Sequence, residues 1–225
     1  MRVQDRDALI EEIRRAFSET SRPADAYLVG SGDGCEPEES VVPFRGRDWR
    51  SLDAAMLDAN YTSLSFFSEA GFRYFLPAYL IADIEDRLRT ADPMFHLING
   101  LVAFETTVEA GGRTWRRRHG GDTLLNPRRY GAVTWRDYER YRLSVFSREE
   151  AVAIVSYLRW RAGRDDDDRP EVETALKEFW LERAQRAPSS AALAAHVADE
   201  QAFVDACMRD RPSANDGAPP PEAKT

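Results

Sequence analysis

Lysine, histidine and cysteine are all scarce in this chain of 225 residues. The two cysteines, Cys35 and Cys207, stand far apart in unrelated contexts. They cannot build a disulfide framework, so a reducing compartment is expected. No apolar run reaches the ~18 residues that a membrane span requires. Phe72 to Ile84 comes nearest, but Asp83, Glu85 and Asp86 cut it off. Met1 to Asp5 turns acidic with no apolar stretch behind it, which argues against a signal peptide and for a cytoplasmic location. Lysine occurs only at Lys177 and Lys224, against 29 arginines, a skew that reads as a GC-rich genome rather than a function. No internal repeat is visible.

What is present describes a globular protein. The apolar share of 43% and charged share of 31% lie well away from the disordered class. A chain of this length folding as one body buries roughly 70% of its unfolded surface and needs no metal or disulfide to hold it. The formal charge of −8 disfavours indiscriminate binding to nucleic acid or anionic membrane.

Helical spacing dominates the pattern. Leu9, Ile10, Ile13 and Phe17 share one face of a first helix from about residue 7 to 17. A second follows Ser51, with Trp49, Leu52, Met56 and Leu57 turned inward. Ser68 is a candidate N-cap for a central helix, in which Phe72, Phe75, Leu76, Tyr79 and Leu80 form one buried face. Pro77 interrupts it, as a kink or as the start of a separate helix, because it offers no amide to the carbonyl of Arg73. Asp92-Pro93 opens a short helix carrying Phe95, Leu97 and Ile98. Val102, Phe104, Thr106 and Val108 then alternate, and Gly111-Gly112 sits where a hairpin would turn. Ser147 and Glu150 form a capping box for a helix with Val152, Val155, Leu158 and Trp160 inside. Asp165 to Asp168 is a solvated linker, and Pro170 starts a helix that buries Val172, Leu176, Phe179 and Trp180. A last amphipathic helix presents Leu193, Val197, Phe203, Val204 and Cys207. The expected fold is mainly α: one helical domain over 1–211, with room for one small β-hairpin, then a disordered tail over 212–225.

The run Leu64 to Leu80, with its core Phe72-Arg73-Tyr74-Phe75-Leu76-Pro77-Ala78-Tyr79-Leu80, resembles a bacterial family of unknown function. Its members carry a phrase close to Phe-Arg-Tyr-Tyr-Leu-Pro-Ala-Tyr-Leu. Phe44 to Trp49, Phe146 to Val152 with Tyr157-Leu158, and Ala175 to Trp180 are similar to its flanking features. The resemblance covers roughly residues 9 to 181, with the stretch from about 102 to 135 looking like an addition. It implies a bacterial, cytoplasmic protein and transfers no catalytic residue.

Candidate chemistry is thin. His96, His119 and His196 share no close ligand spacing of the kind zinc sites show, so no metal site is expected. The loop Gly30-Ser31-Gly32-Asp33-Gly34-Cys35 superficially resembles a phosphate-binding loop, but such a cradle needs its amides at a helix N-terminus, usually with a lysine or a downstream acidic ribose ligand. Here Glu36, Glu38 and Glu39 follow, which repel phosphate. Those acids also disfavour a thiolate at Cys35. The Asp165 to Asp168 run has Pro170 and Leu176 where a calcium loop needs Gly and Glu. Asp83 and Glu85 are two apart and point in different directions on a helix. No catalytic residue and no cofactor emerge.

One feature resists a structural explanation. Between Arg113 and Arg148 stand ten arginines against Asp122, Asp137 and Glu139, a net of +7 in a chain whose total is −8. Trp115, Tyr130, Trp135, Tyr138 and Tyr141 are interleaved. This arginine-rich insert, about 102–142, supplies the candidate partner-binding residues: Trp115, Arg116, Arg117, Arg118, Arg128, Arg129, Tyr138 and Arg142. Arg, Trp and Tyr dominate protein-binding hot spots, and the same mixture makes single-strand platforms. The segment could equally pack on the protein's own acidic surface. The leading expectation is a non-enzymatic protein-binding module, a regulatory accessory or immunity-type protein, with no membrane partner. Single-stranded nucleic acid is the second reading, and an enzyme with an unrecognised site the third.

Overall fold

Helix α5 (Glu69–Ile84) is the axis on which the other elements collect. The computed structural model describes residues 3–30, 36–124 and 131–209, and in it only Arg73, Ile81 and Asp83 of this helix escape burial. Sequence spacing predicts one buried face. The opposite side is covered too, by neighbours packed on Ala70, Tyr74, Ala78 and Ala82, as expected of a helix that is apolar on all sides. Pro77 neither ends nor divides it, since one helix of 16 residues runs through. The missing amide costs the Arg73 carbonyl a bond, and burial on every side outweighs that loss. Ser68 caps the start: its Oγ accepts from the Gly71 amide at 2.9 Å and donates to the Tyr27 carbonyl at 2.6 Å.

Helix α1 (Val3–Ala16) packs against α5 and against α8 (Arg148–Ala162). Leu9, Ile10, Ile13 and Phe17 are buried, as their spacing predicts. The Ser147–Glu150 capping box forms, with Glu150 accepting from the Ser147 amide at 2.6 Å. The inner face of α8 is displaced from expectation: Ala151, Ile154, Val155 and Leu158 are buried, while Val152 is exposed. This helix has neighbours on two sides, α1 and the helix that follows it, and Val152 stands on the open groove between α1 and α8.

Short helices α2 (Glu36–Val41), α3 (Ala54–Ala59), α4 (Ser63–Phe66) and α6 (Pro93–Ile98) fill the space around α5. Phe44, Phe67 and Phe75 meet here with ring centroids 4.9–5.1 Å apart. Of the apolar residues that α6 carries, Leu97 and Ile98 are buried and Phe95 is exposed. After α7 (Trp135–Arg142) and α8, α9 (Arg169–Ala175) passes through a π turn (Leu176–Trp180) into α10 (Leu181–Gln185) without a break. Trp180 donates its Nε1–H to the Leu97 carbonyl at 2.9 Å.

Helix α11 (Ser190–Arg209) is seated differently from its prediction. Val204 is buried, but Phe203 is exposed and Leu193, Val197 and Cys207 are only half-buried. Its firmest contact is polar. The buried Glu200 carboxylate accepts from the amides of Glu69 and Ala70. These are orphan donors of the first turn of α5, and they favour an anion.

Strands β1 (Ala103–Ala110) and β2 (Arg113–Gly120) form the expected hairpin. Gly111 and Gly112 have φ of +59° and +72°, the left-handed pair that a two-residue hairpin turn needs. Among the described residues the fold is mainly α with this one two-stranded sheet. No described helix is long and apolar enough to cross a membrane. The Gly-rich loop after Gly30, including Cys35, and the tail expected over 212–225 lie outside the described residues.

Leu76 and Leu80 are fully buried. Replacing either by Ala is expected to cost about 2–5 kcal/mol, the range for emptied core sites, measured as a shift in the urea midpoint. A near-neutral result at both would show that α5 is not the axis of the core.

Candidate interaction surface

Strand register sorts the hairpin into two faces. Phe104 faces His119, Thr106 faces Arg117 and Val108 faces Trp115, while Glu105 faces Arg118 and Thr107 faces Arg116 on the other side. The rings of Phe104 and His119 stack with centroids 5.3 Å apart, and His119 Nε2 lies 2.8 Å from Thr106 Oγ1. The hairpin is tied to the body at its base, where the Gly121 amide donates to the Gly100 carbonyl at 2.8 Å. Beyond that it stands away from the helices: Trp115 is 54% exposed and Val108 50%. Arg113, Arg116, Arg117 and Arg118 are all exposed, and no described carboxylate forms an ion pair with any of them.

The second half of the arginine-rich segment is spent internally. Thr134 caps α7, its Oγ1 accepting from the Asp137 amide at 3.1 Å. Arg136 donates to Asp122 at 3.0 Å and to Glu178 at 2.8 Å. Arg140 pairs with Glu182 and bonds the Glu178 carbonyl, which fastens α7 to the π turn. Arg142 donates to Glu139 at 2.8 Å and to the His96 carbonyl at 3.3 Å, with its guanidinium 4.8 Å from the Phe72 ring. Tyr138 is half-buried, edge-on to Trp135.

The eight candidate residues therefore do not form one surface. On the hairpin, Trp115 and Arg117 share one face, and Arg116 and Arg118 lie on the other. Arg142 and Tyr138 lie on the anchored helix, and burial against Phe72 and Glu139 removes Arg142 from the hairpin's face. Arg128 and Arg129 lie outside the described residues.

Beneath α7 lies a polar cluster that sequence reasoning missed. The buried Glu69 side chain meets His196, whose ring stacks on Tyr141 at 4.5 Å. Glu139 is buried beside Gly100, where a φ of +83° and the adjacent carboxylate side chain leave no room for a Cβ. Partners in the cluster are up to 131 residues apart, so no local spacing could have signalled it. His96 is held neutral, its pKa pushed down to about 3 by burial and by Arg142.

Other titratable groups do not converge on a reacting position. Among the described residues no three His, Cys, Asp or Glu side chains could hold a metal ion. Asp83 accepts from Tyr157 at 2.6 Å, whereas Glu85 pairs outward with Arg87. A groove of about 570 Å³ runs between the end of α1 and the start of α8, with Glu150 and Arg73 in its walls. The Glu150 carboxylate there already accepts from Thr20, Arg73 and the Ser147 amide.

The environment of His96 sets a pH dependence. Unfolded, it takes a proton near its usual value of 6.5, but the fold refuses that proton until about pH 3. The unfolded chain thus binds more protons between those values, and stability falls as pH is lowered through them, by at most ~1.4 kcal/mol per unit. Urea midpoints at stepwise lower pH should decline less steeply for His96→Asn than for the wild type, and parallel declines would refute the assignment. Glu139→Ala, which leaves Arg142 without its buried counter-charge, should cost about 3–5 kcal/mol.

Comparison with known proteins adds one relationship. No curated protein and no solved structure matches the chain. A match to the family described as "Family of unknown function (DUF6714)" covers residues 5–117. It takes in Phe44 to Trp49, the whole of α5 and β1, and ends within β2, so the similar segments from Phe146 onward lie beyond it. By a match that spans half its length and takes in the buried helix α5, the chain belongs to DUF6714, a family of unknown function.

Proposed function

We propose that this is a non-enzymatic, cytoplasmic interaction protein, a regulatory accessory or immunity-type protein, that grips an acidic protein partner with its β-hairpin. The observation that carries this reading is the pairing of Trp115, more than half exposed, with four neighbouring guanidiniums that have no described carboxylate partner. Arginines elsewhere, such as Arg136 and Arg142, are held by carboxylates of the same chain. A two-stranded ribbon also has an open backbone edge on each strand, which a partner strand can extend. Isolated two-stranded hairpins are marginal in water, so a partner that covers this one stabilises it.

A second reading, single-stranded nucleic acid, is favoured by the same arginines beside a stackable indole. The net charge of −8 opposes it.

The test is affinity capture from a plausible native host with the wild type and with the triple variant Arg116→Ala, Arg117→Ala, Arg118→Ala. A stoichiometric acidic partner should be held by the wild type and lost, by roughly tenfold or more, from the variant. The variant's stability should stay within about 0.5 kcal/mol of wild type, as for surface sites. Failure to recover any stable partner counts against the proposal. Salt-sensitive binding of labelled oligothymidylate that disappears in the variant would replace it with the nucleic-acid reading.

A further inference from the structure

The two open edges of the hairpin differ in what they can accept. A two-residue turn makes Ala110 and Arg113 a hydrogen-bonded pair, and such pairs recur at every second position of an antiparallel ladder. The ladder bonds of β1 therefore come from Phe104, Thr106, Val108 and Ala110. Glu105, Thr107 and Glu109 turn their amides and carbonyls away from β2, and no backbone bond joins them to another described residue. An edge of this kind recruits a further strand. Two strands alone are marginal in water, whereas three or more with an apolar face hold together.

Charge decides which edge fits a second copy of the chain. When a twofold axis runs through a strand pair, one residue meets its own counterpart, and residues equally spaced about it face each other. Any register that overlaps most of β2 fails. An axis at Arg116, Arg117 or Arg118 sets an arginine against itself, and one at Trp115 sets Arg113 against Arg117. On β1 an axis at Glu105 or Thr107 brings glutamates together, and one at Val108 shortens the overlap. An axis at Thr106 avoids both faults. It sets Glu105 against Thr107, Phe104 against Val108 and Ala103 against Glu109, with no like charges opposed.

We propose that two copies of this chain associate through β1, antiparallel about Thr106, to form one four-stranded sheet. Val108, half exposed in the single chain, then lies beside Phe104 of the second copy. The cross-strand pairs Val108–Trp115 and Phe104–His119 join into continuous rows of apolar and aromatic side chains across the sheet. On the other face Glu105 keeps Arg118 across its own hairpin and gains a neutral neighbour. Each hairpin is tied to its body at Gly100 and Gly121, so the antiparallel arrangement sets the two bodies at opposite ends. Strand β2, with Trp115 and its arginines, stays on the outside, so this contact is independent of the partner proposed above.

Sedimentation of the full chain at roughly 0.1 mM should give twice the mass of 25.6 kDa; a monomer there overturns the proposal. Thr107→Glu puts a carboxylate opposite Arg116 within the hairpin, but opposite Glu105 of the second copy at two symmetric places. It should leave the hairpin folded and raise the dimer dissociation constant about tenfold or more, because like charges directly opposed destabilise a strand pair. Thr106→Cys, made in a chain with Cys35→Ser and Cys207→Ser, should close a disulfide between copies under mild oxidation. A residue on the axis sits in a non-hydrogen-bonded pair with Cα atoms ~4.5 Å apart, inside the disulfide range. Val108→Cys in the same background should not cross-link. A dimer that Thr107→Glu leaves intact, or equal cross-linking at both positions, would put the contact elsewhere and overturns the proposal equally.

Discussion

The Glu150 carboxylate is the point on which three helices depend. It is almost wholly buried, and it accepts from the Thr20 hydroxyl beyond the end of α1, from Arg73 on α5 and from the amide of Ser147 at the start of α8. A buried charge is tolerated only when its counter-charge and hydrogen bonds are complete, so the three elements must meet in one arrangement. The Arg183 guanidinium lies near the same site and bonds the carbonyls of Ser144 and Phe146. Burial, followed by repulsion from Arg73, draws its pKa down to about 10. The Glu150 carboxylate thus lies in the field of two guanidiniums but accepts from only one of them, Arg73.

The same logic of unsatisfied groups seats the last long helix. α11 brings few buried apolar residues to the body, yet Glu200 reaches the two open amides at the start of α5, and His196 reaches Glu69. Both ends of this connection lie in the polar cluster under α7. Helix α5 is therefore tied at its N-terminus by Ser68 and Glu200, at Arg73 by Glu150, and along its length by apolar contact. A proline in its middle is tolerable on those terms.

Arginine serves two opposite purposes. On α7 it is a structural cation, its planar fork matched to Glu139, Glu178 and Asp122 and its face laid on Phe72 or Phe179. On the hairpin the same residue type faces water beside Trp115. The +7 segment is thus neither wholly an interface nor wholly internal packing. The division falls near its middle: the guanidiniums of α7 are paired with carboxylates, whereas those of the hairpin form no ion pair among the described residues, although Glu105 lies across from Arg118.

Local information was enough for much of the architecture. Periodicity gave the inner faces of α1 and α5, cap residues gave the starts at Ser68, Asp92 and Ser147, and alternation with Gly111-Gly112 gave the hairpin. These features depend on residues within a few positions of each other. What sequence could not supply was which neighbour each surface meets. Val152, Phe95 and Phe203 point outward because the packing around α8, α6 and α11 lies elsewhere, and Ala70 and Ala78 are inside because α5 is enclosed. Glu200 on α5 and the buried pair Glu69 and His196 join positions brought together only by folding. The tertiary structure decided those, because satisfying a buried charge or amide is a matter of distance in space, which spacing along the chain does not encode.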